Sequence, residues 1–165
     1  MLLKPKLRVN IITDIDVNDL KRKGIEALIL DVDNTLIDLD KNMVEGLEEW
    51  AKLVKKEKIK MCIASNSFKV SKIEKVANIL DIPFVYFSTK PLKRGLKKAK
   101  KILQIEDSGK IAEIGDQLFT DVLASNRMGM YSILTNPICE EKHFISKLKR
   151  KLEKKVLDKN TEEEN

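Results

Sequence analysis

The sequence predicts an α/β fold, a doubly wound parallel sheet between two layers of helices. Short apolar runs alternate with longer amphipathic stretches along the 165 residues. The connections between them are short, and no repeat, linker or low-complexity segment divides the chain. This alternation is typical of parallel strands joined by helices that cover both faces of the sheet. We therefore predict one three-layer α/β/α domain over residues 1–157.

The apolar runs predict the strands. The run 27–32 has the length and composition of a buried strand. Four other runs have the same character. The predicted strands are 26–32, 59–64, 84–87, 110–114 and 131–134.

The amphipathic stretches predict the helices. Within 44–57, for example, Val44, Leu47, Ala51 and Val54 recur at helical spacing. The predicted helices are 44–57, 69–80, 92–103 and 118–128. These elements form a core at 25–138, preceded by an N-terminal arm at 1–24. A basic helix at 141–157 and a disordered tail at 158–165 follow the core.

Composition excludes several kinds of site. The two cysteines lie far apart and His143 is the single histidine, which is too few for a Cys/His zinc site or a disulfide framework. Any catalysis must then rest on carboxylates, lysine and a hard metal ion. No apolar stretch reaches the ~18 residues of a membrane span, and the N-terminus lacks a signal-peptide core. We expect a cytoplasmic protein.

Polar side chains follow four of the predicted strands. At the carboxyl edge of a parallel sheet such groups converge in one crevice. They are Asp31, Asp33 and Thr35 after the first strand, Ser65 and Asn66 after the second, Lys90 after the third, and Asp116 and Asp121 after the fourth.

These residue types fit phosphoryl transfer through an aspartyl phosphate. An aspartate can attack phosphorus, and a divalent cation must offset the repulsion between the two anions. Asp31, Asp116 and Asp121 supply oxygen ligands suited to Mg²⁺. Ser65 and Lys90 can hold the phosphoryl oxygens. Asp33 would protonate the leaving group and then activate the water.

Four motifs in this sequence resemble those of the haloacid dehalogenase (HAD) phosphatases. They are Asp31-x-Asp33-x-Thr35, Ser65, Lys90 and Gly115-Asp116-x(4)-Asp121. With Leu2-Leu3-Lys4-Pro5, Asn66 and Pro91, the chain resembles more closely the YqeG type of HAD subfamily IIIA. The resemblance implies an HAD-like, Rossmann-like fold with Asp31 as nucleophile and Asp33 as acid/base. It also implies Asp33 as a Mg²⁺ ligand through its main-chain carbonyl. Thr35, Ser65, Asn66 and Lys90 would bind the substrate phosphate.

The motif spacing leaves no room for a cap domain. Only 29 residues separate Thr35 from Ser65, and 24 separate Ser65 from Lys90. An uncovered crevice favours a bulky phosphomonoester. The YqeG type is similar to the mitochondrial phosphatidylglycerophosphate phosphatases, which implies a lipid headgroup. Two alternatives stay open: a phosphatase of a protein, nucleotide or sugar phosphate, and a membrane- or RNA-docking regulatory protein with vestigial phosphatase chemistry.

The C-terminal segment 142–159 contains eight lysines and arginines. Phe144, Leu148, Leu152 and Val156 recur every four residues among them, with Ile145 alongside. Two hypotheses follow: a helix that packs this stripe on the domain, or an interfacial helix that binds anionic lipid and makes the protein peripheral at a membrane. Nucleic-acid binding is disfavoured because almost no aromatic residues lie between the basic ones.

Overall fold

The computed structural model describes residues 1–140 and 142–162. Within them six strands form one parallel sheet in the order β1-β6-β5-β2-β3-β4. The strands are β1 Leu7–Val9, β2 Ala27–Leu30, β3 Lys60–Ala64, β4 Phe84–Val85, β5 Ile111–Gly115 and β6 Tyr131–Thr135. The predicted doubly wound α/β fold is confirmed.

Helices cover both faces of the sheet. They are α1 Val17–Arg22, α2 Leu47–Lys56, α3 Val70–Leu80, α4 Arg94–Leu103, α5 Leu123–Met128 and α6 Phe144–Glu162. Successive strand residues point to opposite faces. Leu28 and Leu30 therefore pack with α1, α2 and α3, whereas Ala27 and Ile29 pack with α4 and α5.

The two intervals in which a cap domain would stand are short. Residues 31–59 hold α2 and a loop closed by a bridge between Ile37 and Met43. Residues 65–83 hold α3. Both intervals lie inside the described stretch 1–140, and neither contains a further domain. The predicted absence of a cap is confirmed.

The predicted N-terminal arm contributes to the sheet. Leu7–Val9 pairs with β6 as the edge strand β1, and α1 follows it. Three residues with an arginine in the middle form too short a pattern to predict a strand from sequence.

The C-terminal helix is longer than predicted. It continues to Glu162, so residues 158–162, predicted as part of a disordered tail, are helical; residues 163–165 lie outside the described part of the chain. Of the apolar stripe, Phe144, Ile145, Leu148 and Leu152 are exposed, which contradicts the first of the two hypotheses, that the stripe packs on the domain. The opposite face packs instead, through Glu153 and Asn160, both buried, while Val156 and Leu157 contact a small apolar cluster.

Candidate active site

The first motif lies in the turn that ends β2. The β2 ladder stops at Leu30, and the backbone N–H of Asp31 still donates to Ile114 of β5. The chain then turns back on itself, because the N–H groups of Thr35, Leu36 and Ile37 all converge on the carbonyl of Val32. Burial of the strand leaves the Asp31 carboxyl group 10% exposed.

Lys90 lies at the centre of a cluster of carboxylates. Its Nζ is 2.6 Å from Asp121 Oδ1, 3.1 Å from Asp31 Oδ1 and 3.4 Å from Glu113 Oε1. Its side chain is 1% exposed. Burial by itself would lower the pKa of the Lys90 ammonium, but the surrounding carboxylates raise this pKa well above its ordinary value. Lys90 is therefore charged in the folded protein.

Asn66 holds the loop that carries Lys90. Its Nδ2 donates to the Lys90 carbonyl at 2.8 Å, and its Oδ1 accepts from the Lys90 N–H at 2.8 Å and from Ser88 Oγ at 2.7 Å. The sequence predicts Asn66 as a phosphate ligand; the contacts of its side chain fix the lysine loop. Ser65 is buried beside it, and its Oγ accepts from the Ser67 N–H at 3.2 Å.

Asp116 and Asp121 flank the turn that follows β5. Both carboxyl groups are buried, and Asp121 Oδ2 accepts from the Gln117 N–H at 3.0 Å. The Asp121 side chain folds back over Gly115, where an added Cβ would lie 2.3 Å from Asp121 Cγ. A glycine is therefore required before Asp116.

Three of the predicted ligands form one potential metal site. A carboxylate oxygen from each of Asp31, Asp116 and Asp121 lies within 4.8 Å of the other two. Burial raises the pKa of Asp31 well above its ordinary value, and Lys90 opposes that effect. Burial likewise raises the pKa of Asp116 to about 7, opposed by Arg150. Buried carboxylates with this preference for protonation favour a bound cation, so the donor set fits a hard divalent ion.

Thr35 and Asp33 occupy different positions around this cluster. Thr35 Oγ1 donates to Asp116 Oδ1 at 3.3 Å, so the hydroxyl predicted to bind phosphate contacts a candidate metal ligand. The Asp33 carboxylate is 46% exposed and pairs with Lys72 Nζ of α3 at 2.5 Å. It stands apart from the three-carboxylate cluster.

Three charged residues that contact the motif residues were missed from the sequence. Glu113 interrupts an otherwise apolar strand, and this interruption was the available signal. Lys72 and Arg150 each stand among many similar basic residues, so nothing in their sequence context distinguishes them. Arg150 of α6 contacts both the carboxylate and the main-chain carbonyl of Asp116.

Comparison with known proteins identifies the family of this chain. Residues 1–139 match the family model described as mitochondrial PGP phosphatase. The probable phosphatase YqeG of Bacillus subtilis (strain 168) is 34% identical over 139 residues, which cover 84% of this chain and 80% of that protein. The chloroplastic/mitochondrial phosphatidylglycerophosphate phosphatase 1 of Arabidopsis thaliana is 27% identical over 169 residues, covering 93% of this chain and 47% of that protein.

A solved structure supports the fold. It is the structure of a Legionella pneumophila protein named as a hydrolase of the HAD superfamily, subfamily III A. It superposes with a TM-score of 0.51 and 23% identity, covering 77% of this chain and 75% of that one. The fold, the motif order and the two sequence relatives agree on a HAD-type phosphatase. The chain belongs to the mitochondrial PGP phosphatase family.

Proposed function

We propose that the protein is a Mg²⁺-dependent phosphomonoesterase that works through a phospho-aspartyl intermediate on Asp31. The observation that carries this proposal is the convergence of Asp31, Asp116 and Asp121 beside the buried ammonium of Lys90. Four carboxylates, including Glu113, face two cations there, Lys90 and Arg150. A divalent ion would balance the remaining charge and reduce the repulsion between nucleophile and substrate.

Each residue has a role in the two proposed steps. An Asp31 oxygen attacks phosphorus, the bond from phosphorus to the leaving oxygen breaks, and Asp33 donates its proton to that oxygen. Asp33 then takes a proton from water, whose oxygen attacks the same phosphorus and releases inorganic phosphate and free Asp31. Lys90 opposes the effect of burial on Asp31 and so favours the ionised form that attacks. Asn66 keeps Lys90 in place.

The position of Asp33 supports its role as acid and base. It follows Asp31 by two residues, yet its carboxylate lies outside the metal cluster and is accessible to solvent. Asp31, by contrast, is buried against Lys90, so the two carboxylates have different surroundings. Lys72 orients Asp33 from α3.

Replacing the nucleophile tests the reaction. Asp31→Asn keeps the shape of the side chain and removes its ability to attack phosphorus. We expect it to abolish Mg²⁺-dependent hydrolysis of p-nitrophenyl phosphate while the circular dichroism spectrum is unchanged. Asp40→Asn, an exposed position in the same loop region, is the matched control and should keep full activity. Full activity of Asp31→Asn would contradict the mechanism.

We further propose a lipid phosphomonoester as the substrate, with phosphatidylglycerophosphate as the first candidate. The family match and the Arabidopsis relative support this substrate. The uncapped site supports it as well, since a headgroup that remains in a bilayer could reach an open crevice. A phosphate-release screen over lipid, sugar, nucleotide and phosphopeptide monoesters tests it. Preference for a sugar or nucleotide phosphate would refute it.

The exposed stripe of α6 supports a peripheral contact with anionic membrane. Phe144 and Ile145 are 78% and 80% exposed, and Leu148 and Leu152 are each about half exposed. Helical spacing places Lys151 and Lys155 beside this stripe. Apolar residues flanked by lysines suit the boundary between headgroups and acyl chains of an anionic bilayer. No helix among the described residues has the length and hydrophobicity to span one.

Vesicle flotation tests the membrane contact. The double variant Phe144→Ser/Ile145→Ser should lose flotation with vesicles that contain phosphatidylglycerol, and its hydrolysis of the soluble p-nitrophenyl ester should be unchanged. Leu53→Ser, which changes an exposed leucine on α2, is the control and should float like the wild type. Flotation of the double variant at the wild-type level would exclude this surface.

A further inference from the structure

The C-terminal helix reaches the candidate metal site from beyond the residues that match the family model. That match ends at residue 139, and α6 begins at Phe144. Arg150 nevertheless donates to both parts of Asp116, from Nη2 to carboxylate Oδ2 and from Nη1 to the main-chain carbonyl at 2.5 Å. A segment beyond the family match therefore contacts a residue of the fourth motif.

The contact leaves the Asp116 carboxylate held at both oxygens. Oδ2 is bound by the guanidinium, and Oδ1 accepts from Thr35, which lies in the same turn as Asp31. A carboxylate oxygen has two lone pairs, so Oδ1 can accept from Thr35 and still bind a further ligand. Rotation of the carboxylate would break at least one of the two contacts.

The guanidinium is itself fixed by α6. Glu153 Oε2 accepts from Arg150 Nη1 at 3.2 Å, and its Oε1 accepts from the Phe119 N–H at 3.1 Å. The Glu153 side chain is 5% exposed. Arg150 and Glu153 thus join the helix to the segment 116–119 by contacts that reach both the carboxylate and the backbone.

We infer that Arg150 is a positioning residue that fixes the orientation of the Asp116 carboxylate for a divalent cation. The inference rests on the proposed function, because it takes Asp116 as a metal ligand. Hydrogen bonds to a ligating carboxylate orient it, and losing them typically costs about 10- to 100-fold in metal affinity. Two nitrogens of the planar arginine fork contact Asp116 at once, which the single ammonium of a lysine reproduces less well.

Direct measurement of metal binding tests the role of Arg150 independently of turnover. Mg²⁺ is titrated into the full-length protein by calorimetry, with Mn²⁺ binding followed by electron paramagnetic resonance. Arg150→Gln should weaken both affinities about 10- to 100-fold, and Arg150→Lys should fall between it and the wild type. Lys154→Gln, an exposed lysine one turn further along α6, should bind like the wild type.

Kinetics and stability complete the test. Excess Mg²⁺ should restore the kcat of Arg150→Gln, so the defect appears in the Mg²⁺ concentration needed for half activity. Glu153→Gln keeps Arg150 but loosens it, and should weaken metal binding less. Thermal unfolding identifies any variant that fails to fold. If Arg150→Gln fails to fold, the metal affinities of the two single variants Arg150→Lys and Glu153→Gln test the inference.

Two results would overturn the inference about Arg150, and a third would also overturn the proposed metal site. Unchanged affinity in Arg150→Gln would mean that the arginine only attaches α6 to the domain. Tighter binding would mean that the guanidinium competes with the metal. Absence of Mg²⁺ and Mn²⁺ binding by the wild type would refute the proposed metal site, and with it any role of Arg150 there.

Discussion

Gly115 offers a sharp test of the site, because the space that a side chain would need is filled by Asp121. In Gly115→Ala the new Cβ would lie 2.3 Å from both Cγ and Oδ2 of Asp121. Ordinary van der Waals contact begins at 3.4 Å, so the carboxylate must retreat by about 1.1 Å. The substitution therefore displaces the Asp121 carboxylate without changing the residue itself.

That retreat is large compared with the contacts that hold Asp121. Its oxygens lie 2.6 Å from Lys90 Nζ and 3.0 Å from the Gln117 N–H, and a shift of this size takes at least one of them beyond hydrogen-bond range. A misplacement of about 1 Å in an active site can cost about 100-fold in rate, equivalent to about 2.7 kcal/mol of barrier. Overpacking should also lower the free energy of unfolding by about 1–3 kcal/mol.

A second glycine separates lost stability from lost chemistry. Gly129 has φ +72°, and nothing lies within 4 Å of the Cβ that an alanine would add. Gly129→Ala should therefore cost about 1–2 kcal/mol through backbone strain alone. It precedes β6, at the edge of the sheet opposite the site.

Both variants are assayed for Mg²⁺-dependent hydrolysis of p-nitrophenyl phosphate and for thermal unfolding. We expect both to lose stability and Gly115→Ala alone to lose about 100-fold in kcat. A kcat for Gly115→Ala within about threefold of the wild type would refute the reasoning, because Asp121 would then tolerate displacement.

Three further predictions concern a pH dependence, a thiol and an ion pair. Burial raises the pKa of Asp116 to about 7 from an ordinary 3.8, so the metal-free fold favours the protonated form. The stability of the metal-free fold should therefore fall as pH rises from about 4 to 7, and Mg²⁺ should raise Tm more at pH 8 than at pH 6. A Mg²⁺-induced Tm shift that is equal at the two pH values, or that is unaltered in Asp116→Asn, would contradict this prediction. Burial raises the pKa of the Cys62 thiol to about 12. A thiol reagent should therefore modify one cysteine of the folded chain, the part-exposed Cys139, and both cysteines in denaturant. Modification of both cysteines at the same rate in the folded chain would disprove this prediction. Lys72→Met should release Asp33 and lower kcat about tenfold without changing Mg²⁺ affinity, and an unchanged kcat would show that the ion pair is dispensable.

The parallel sheet and the residues at its carboxyl edge were predictable because each motif follows a strongly apolar strand. Asp31, Lys90, Asp116 and Asp121 meet as their positions after those strands require. No pattern of this kind marks β1, where three residues gain a partner strand from the far end of the chain.

The packing of α6 could not be predicted for a physical reason. Its apolar stripe is the stronger pattern, yet the buried face is held by Arg150, Glu153 and Asn160. The helix packs through polar contacts with the segment 116–119 and with the N-terminal residue Leu3, and through Val156 and Leu157. Such partners lie far away in the sequence, and periodicity within a helix carries no information about them.

The two faces of α6 have a thermodynamic consequence. One face carries Arg150 against Asp116, and the other carries the exposed stripe of Phe144 and Ile145. If a membrane surface stabilises the docked helix, it also stabilises the arrangement that binds metal, and linkage makes the effect reciprocal. The factor by which lipid raises metal affinity must then equal the factor by which metal raises lipid affinity. Metal binding and membrane binding would then be coupled equilibria, and metal occupancy would be highest on the membrane, where a lipid substrate is found.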